Sequence, residues 1–226
     1  MADLQVAVVV PMKPLARSKG RLDVCLSREG RRALSLLLLR RVVQAARRCP
    51  LVTETLVVGG DPAIEQTARR LGAAWLDDAG APLNEALQQA FAMAFEHAME
   101  AALYLPHDVS LISSEEITCL IKASGGLSSL VLAPAWRDGG TNAILTPRQL
   151  PLRPSLGGDS FQRHLTQAKA LGYPVAIYGS PRLGLDLDTE EDLYQSMEDP
   201  DFSRAVRACG IHPRERGGER ILGGRT

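Results

Sequence analysis

The segment Val6-Ala-Val-Val-Val-Pro11 constrains this chain more than any other. β-Branched residues are stiff at χ1 and fit a pleated strand. An unbroken apolar run has no solvent face, so the strand it forms is buried on both sides, as in a parallel sheet with helices above and below. Pro11 ends it. Parallel strands need crossover connections, and the rest of the chain supplies them. Ser27 caps a helix whose apolar positions Leu34, Leu37, Leu38, Val42, Val43 and Ala46 recur every three or four residues. Leu56 to Val58, before Gly59-Gly60, is a second strand, and Asp61 caps a short helix running to Leu71. A short third strand at Ala73 to Leu76 leads to a long alanine-rich helix, Leu83 to Glu100, and a fourth strand, Ala102 to Pro106, ending at His107-Asp108.

Ser113-Ser114-Glu115-Glu116 opens a further helix with acidic residues at the positive end of its dipole, and Leu130 to Ala133 is again a strand. The pattern loosens from Pro147 to Gly158, then resumes with a helix from Ser160 to Leu171, a strand at Val175 to Tyr178 and an Asp-rich turn at Asp186 to Thr189. With 226 residues and 45% apolar content, the chain has the length and composition for one core. The expectation is a single α/β domain over residues 1–200, with a mostly parallel central sheet flanked by helices, and a loosely ordered polar tail over 201–226.

Charge excludes one class of partner. Lys and Arg together number 26, as do Asp and Glu, so there is no global basic field to gather nucleic acid. The four cysteines, Cys25, Cys49, Cys119 and Cys209, include no CxxC pair and suggest reduced thiols rather than a zinc cluster or redox motif. Val6 to Val10 is too short for a signal peptide's apolar stretch, and no segment approaches the roughly 20 apolar residues of a membrane helix. A cytosolic protein with no membrane partner is expected, and pairing as a homodimer stays open.

Parallel sheets bind ligands beyond the carboxyl ends of their strands, and the chemistry-bearing residues follow strands. Lys13, Arg17, Lys19 and Arg21 share one loop after the first strand: either a solvated basic turn or a site for an anion. It is not a Walker loop, because GxxxxGK[ST] is absent. Asp108 emerges at the end of an apolar strand, where it either turns the chain or holds a divalent cation with substrate phosphates completing the shell. Asp186 and Asp188 are two apart and point the same way if extended, which calls for a cation, while Asp188 or Thr189 also suits the cap of a helix beginning near Glu190. Asp138-Gly-Gly-Thr-Asn142 and Gly157-Gly-Asp-Ser160 are turns of the kind that bind phosphate at a helix start.

Taken in order, Val10-Pro-Met-Lys-Pro-Leu-Ala-Arg-Ser-Lys-Gly-Arg-Leu22, Leu83-Asn-Glu-Ala-Leu87, Leu105-Pro-His-Asp108, Gly140-Thr-Asn142, Gly157 with Ser160-Phe161, and Leu185-Asp-Leu-Asp-Thr189 resemble the 2-phospho-L-lactate guanylyltransferase (CofC) family of coenzyme F-420 biosynthesis. The resemblance spans about Val6 to Leu193. It departs at His107, where a small residue is usual, at Val109-Ser110, where Leu-Pro is usual, and at Gly20, where serine is usual.

The resemblance implies a nucleotide-diphospho-sugar-transferase-like fold and a reaction between GTP and a small phosphorylated acid: phosphoenolpyruvate, 2-phospho-L-lactate or 3-phospho-D-glycerate. It implies Mg²⁺ on Asp108, Asp186 and Asp188, and catalytic roles for Lys13 and Asp108. Lys19, Arg21 and Asn84 then bind the nucleotide and its cofactor, and Thr141, Gly157 and Ser160 hold the acid's phosphate. Side chains on the helix that contains Asn84, Met93 and His97 are expected to line the acid pocket, with a core role the simpler reading for Met93. Two alternatives stand beside it: another nucleotidyltransferase of the same fold, acting on a sugar phosphate or a molybdopterin precursor, and an inactive nucleotide-binding module.

Overall fold

The computed structural model describes residues 4–214. Seven strands form one sheet in the order β3-β2-β1-β4-β6-β5-β7. β1 (Val6–Pro11) lies at its heart, parallel to β2 (Val52–Gly59) on one side and to β4 (Ala101–Tyr104) on the other; β3 (Ala74–Asp77) continues the parallel set beyond β2. β6 (Thr141–Pro147) runs antiparallel to both β4 and β5 (Leu130–Pro134), and β7 (Val175–Ile177) lies parallel to β5. The sheet is therefore mostly parallel, as β1's composition requires.

The two faces of β1 carry different cores. Val6, Val8 and Val10 pack with α1 (Arg28–Arg48), α2 (Pro62–Arg70) and α4 (Ser114–Lys122), through residues such as Val42, Ile64 and Ile117. Ala7 and Val9 pack on the opposite face with α3 (Leu83–Glu96) and α5 (Ser160–Ala170), through Leu87, Phe91 and Ala168. Burying a valine side chain on this scale is worth about 1.5–3 kcal/mol, and all five β1 residues from Val6 to Val10 are at most 1% exposed.

The capping residues act as expected. Ser27 accepts from Gly30 N–H at 3.0 Å, Asp61 from Ala63 N–H at 2.9 Å and Ser113 from Glu116 N–H at 3.2 Å. The long helix expected to reach Glu100 stops at Glu96, where Ala98 adopts a positive φ of 64° and turns the chain into β4. Asn142 to Leu145, given no element from sequence, belongs to β6, and a four-residue helix α6 (Pro181–Gly184) precedes the Asp-rich turn.

The expected loose tail begins later than residue 201. α7 (Glu190–Met197) is followed by α8 (Pro200–Ala208), capped by Asp199, which accepts from the backbone N–H of Asp201 and Phe202. Phe202 and Val206 are fully buried in a third cluster with Leu22, Leu26, Leu34 and Leu38. An amphipathic turn of helix that buries an aromatic ring is part of the fold, so residues 201–208 are corrected from tail to domain. Of the rest of the predicted tail, 209–214 are described, with Ile211 buried in the same cluster, and 215–226 lie outside the described residues.

Among the described residues all four cysteines are unbridged, with Cys25 and Cys49 buried and Cys119 exposed. No helix among them is long and apolar enough to cross a membrane.

One irregularity of the sheet bears on the site. Ala133 pairs with Ala143, but the next residue, Pro134, pairs with Thr141, leaving Asn142 as an extra residue on β6. Bulges of this kind bend a strand and re-aim its side chains.

Candidate active site

At the carboxyl ends of β1 and β4 a cleft of about 580 Å³ opens, and Lys13, Arg17, Lys19, Arg21, Asp108, Asn142, Asp186 and Asp188 all line it. The loop after β1 contributes the cations. It folds as two single-turn 3-10 helices, Leu15–Arg17 and Gly20–Leu22, joined through Ser18 and Lys19. Several bonds fix its path. Met12 N–H donates to Val58 C=O at 2.8 Å, Leu15 N–H donates to the Asp61 carboxylate at 3.0 Å, and Ser18 shares a hydroxyl bond of 2.8 Å with Ser35 of α1. Gly59 permits the close approach, because a Cβ there would lie 2.7 Å from Met12 O.

Lys19 sits at the turn between the two small helices with φ 55°, a left-handed conformation that costs a non-glycine residue energy and is often kept where function demands it. Its side chain is only 2% exposed, and Nζ donates to Asp108 at 2.8 Å and to Asp188 at 2.9 Å. Burial opposes its charge, but the two carboxylates outweigh that and hold its pKa above the ordinary value. Burial would likewise favour neutral Asp108, yet Lys19 and the neighbouring ring of His107 draw its pKa down to about 2. One loop cation and two distant carboxylates thus form a single hydrogen-bonded cluster.

The two carboxylate segments are also joined by backbone. Leu187 N–H donates to Asp108 C=O at 3.0 Å, seating the Asp-rich turn against the end of β4. Thr189 caps α7 in a reciprocal box with Asp192, and Asp192, fully buried, accepts from the backbone N–H of Asp188 at 3.0 Å and of Thr189 at 2.7 Å. Arg137 closes the arrangement by donating to both Asp192 oxygens. The expected cap and the expected carboxylate presentation occur together, with Thr189 as the cap and Asp188 left for the cleft.

Asp186 differs from its neighbour. Burial, then repulsion from Asp108, raises its pKa, with the Asn142 side chain among the groups that favour its charged form. Asn142 also donates to Leu183 C=O at 2.9 Å, tying α6 to β6. Tyr104 is buried in the wall of the cleft, its hydroxyl held neutral by burial and by Asp108 and Asp186. His107 is neutral as well. Burial lowers its pKa to about 4, and its Nε2 is buried with no hydrogen-bond partner among the described residues.

Among the described residues no three acidic, histidine or cysteine side chains are gathered as a metal site. The expected trio of aspartates is therefore not assembled here: Asp108 and Asp188 converge on one cation, the Lys19 ammonium, and Asp186 stands beside Asn142. That convergence fits a divalent cation. Mg²⁺ typically takes one or two protein carboxylates, with phosphates and water supplying the rest of its shell.

The residues expected to hold an acid's phosphate lie apart from the lining of this cleft, at the head of α5. Thr141 Oγ1 is 3.1 Å from Ser160 Oγ and 3.0 Å from His164 Nδ1, and all three residues are buried. Gly157, with φ 123°, opens the turn into α5, and its carbonyl accepts from Ser160 N–H at 3.1 Å. Asn84 lines a separate cavity of about 470 Å³. Its amide is engaged by the loop before α5, accepting from Leu156 N–H at 2.7 Å and donating to Leu156 C=O at 3.3 Å. His97 lies elsewhere, 3.3 Å from Glu54. Met93 packs against the α3 side of the core.

A family model described as "Guanylyl transferase CofC like" matches residues 6–200, covering β1 through the Asp-rich turn and α7. The chain belongs to the CofC-like guanylyl transferase family. Curated members resemble it along most of their length. The phosphoenolpyruvate guanylyltransferase of Rubrobacter xylanophilus is 40% identical over 84% of this chain and 92% of the relative. That of a Roseiflexus strain is 36% identical over 93% of each. A crystal structure from Desulfovibrio desulfuricans, named provisionally for nucleotide-diphospho-sugar transfer, superposes with a TM-score of 0.73 at 16% identity, over 90% of this chain and 93% of its own, and shows that the family fold is shared.

Within that family frame, sequence reasoning missed Asn142, the Arg137–Asp192 latch and His164. Asn142 lay inside a quoted motif but had no assigned partner. Asp192 carried a signal in its position three residues after Thr189. His164 had none, because a lone histidine in an ordinary helix pattern is silent.

Proposed function

We propose that this protein condenses GTP with a phosphorylated three-carbon acid, releasing pyrophosphate, as a step of coenzyme F-420 biosynthesis. Phosphoenolpyruvate is the acceptor in the names of the Rubrobacter and Roseiflexus relatives, and 2-phospho-L-lactate in that of a more distant one. The observation that carries the reading is the Lys19–Asp108–Asp188 cluster at the strand ends, facing a cleft whose other charged wall is Lys13, Arg17 and Arg21. A site that pairs carboxylates around one cation and surrounds them with more cations suits a triphosphate and a cation that travels with it.

The acid's phosphate oxygen attacks the α-phosphorus of GTP; the bond from that phosphorus to the β-bridging oxygen breaks, and pyrophosphate leaves with the electron pair. The nucleophile is already ionised at neutral pH, so no general base is needed. The task left to the protein is to hold two anions together and to stabilise charge on the α-phosphoryl group, by positioning and electrostatics. Lys13, exposed at the mouth of the β1 loop, Arg17 and Arg21 face the cleft where the phosphates would lie, while Lys19 aligns Asp108 and Asp188 by donating to both. Mg²⁺, held by Asp108 and Asp188 with Asp186 close by, would supply charge neutralisation of the triphosphate. Thr141, Gly157 and Ser160 receive the acid's phosphate in this reading. A cytosolic setting goes with it, since both substrates are charged and do not cross membranes unaided.

The test is pyrophosphate release from GTP and Mg²⁺ with phosphoenolpyruvate, 2-phospho-L-lactate and 3-phospho-D-glycerate offered separately, beside a no-acid control and Asp188→Asn. Release with one acid, lost in the variant, supports the reaction and selects the acceptor. Folded protein that binds GTP yet releases nothing with any acid overturns the proposal.

A further inference from the structure

We infer that His164 is a positioning residue for the acid substrate, fixing through Thr141 and Ser160 the one hydroxyl donor that an incoming phosphate needs. The inference rests on the reading of Thr141 and Ser160 as the groups that hold that phosphate.

His164 on α5 is fully buried. Ser155 N–H lies 2.9 Å from its Nε2, and a backbone N–H can only donate, so Nε2 accepts and carries no proton. The proton of the neutral ring is then on Nδ1, which is 3.0 Å from Thr141 Oγ1 and donates to it. Thr141 Oγ1 and Ser160 Oγ are 3.1 Å apart, and one hydroxyl hydrogen serves that contact. Two hydroxyls bring two hydrogens, so one remains. Whichever hydroxyl donates within the pair, the chain Ser155→His164→Thr141/Ser160 ends in a free O–H donor, the polarity an anion requires. A ring protonated on Nε2 would face Ser155 N–H donor to donor, and Nδ1 would become an acceptor, consuming the hydroxyl hydrogen that the substrate needs.

The scaffold around this chain is rigid. Arg163, adjacent on α5, donates to Ser155 C=O at 2.8 Å, to Ser155 Oγ at 3.1 Å and to Gly158 C=O. Asn84 pins the intervening Leu156 from α3 through both its N–H and C=O. The loop 155–158 is therefore stapled from two helices, and the ring of His164 is held at both nitrogens.

The two ring nitrogens are separable by substitution. His164→Asn places an amide N–H near the Nδ1 position and keeps the donor to Thr141. His164→Gln reaches toward Nε2, keeps an acceptor for Ser155 N–H and loses that donor. The expected result is that His164→Gln raises KM for phosphoenolpyruvate about tenfold, because the two hydroxyls keep a spare hydrogen but lose the donor that fixes where it points, with kcat and KM for GTP within about twofold, while His164→Asn restores most of the loss. Melting temperatures of both variants check folding. An unchanged acid KM in His164→Gln overturns the inference. So does an Asn variant no better than Gln, or a joint change of both KM values and kcat with a lowered melting temperature. If the wild type shows no turnover, calorimetric titration with phosphoenolpyruvate decides: binding weakened by Gln and kept by Asn supports the positioning role and removes only the guanylyltransferase reading, and absence of binding in the wild type overturns both.

Discussion

The backbone N–H of Leu187 and the backbone carbonyl of Asp108 are hydrogen-bonded at 3.0 Å, across 79 positions of sequence (187 less 108). Through this bond the end of β4 and the turn before α7 become one platform, and the side chains of Asp108 and Asp188 inherit their spacing from the backbone instead of from their own rotamers. Arg137 and Asp192 hold the far side of the turn. Arg137→Ala removes the cation from a buried carboxylate that retains its other partners, for an expected loss of about 1–3 kcal/mol. Activity should fall on the order of tenfold with the turn loosened. Denaturant unfolding and steady-state rates measure the two effects, and a variant that is unstable but fully active would separate the latch from the site.

Lys19 makes the second prediction. Its replacement by Met keeps most of the volume and removes the charge between two carboxylates, of which Asp108 is 17% exposed at its side chain. Breaking such a pair typically costs about 3–5 kcal/mol, and catalysis should drop on the order of a hundredfold. Added Mg²⁺ should raise the melting temperature of Lys19→Met more than that of the wild type, since the cation then meets two unneutralised carboxylates. Equal shifts in both proteins would argue that Asp108 and Asp188 do not share a metal.

Acid should destabilise the protein through His164 before it reaches the carboxylates. Burial, then the nearby Arg163, lowers the His164 pKa from 6.5 to about 4. The folded state therefore binds fewer protons than the unfolded state between those values. The stability contributed by the neutral ring is fully present above pH 6.5 and is lost as pH falls toward 4, a change of about 3 kcal/mol when 2.5 units are converted at 1.36 kcal/mol each. Urea unfolding at intervals across that window measures the slope. In His164→Asn the slope should flatten by one group.

Phe202→Ala tests whether α8 belongs to the domain. The ring is fully buried, and the Arg41 guanidinium lies 5.3 Å from its centroid while donating to Ser110 C=O at 2.9 Å. Emptying that space should cost about 3–5 kcal/mol. A thermal shift close to zero would return residues 201–208 to the status of a tail.

The sheet was legible because β1 has no polar face and because three crossover helices, α1, α2 and α4, carry side-chain caps at Ser27, Asp61 and Ser113. The antiparallel strand β6 and helix α8 were harder. Asn142 to Leu145 follows a glycine turn that hides its strand, and the Asp199-Pro200 start of α8 was outweighed by the Arg- and Gly-rich residues beyond it. At the site, sequence placed Lys13, Lys19, Arg21, Asp108, Asp186 and Asp188 where one cleft collects them. It did not reveal which partner each would take: Lys19, read as a cation awaiting a phosphate or an exposed turn, is buried against two carboxylates. Pairings between residues 89 and 169 positions apart leave no local periodicity to read.

The extra residue on β6 has an outcome for tolerance to change in length. At the bulge, Thr141 reaches His164 and Ser160, while its neighbour Asn142 reaches Leu183 and the cleft. A one-residue slip would bring Asn142 to the histidine and Ala143 to the cleft in one direction, or Gly140 to the histidine and Thr141 to the cleft in the other, so either way the hydroxyl beside His164 is lost. The Asp138 to Gly140 turn, by composition the sort of surface connection that absorbs insertions freely, is thereby fixed in length by the spelling of the strand it feeds.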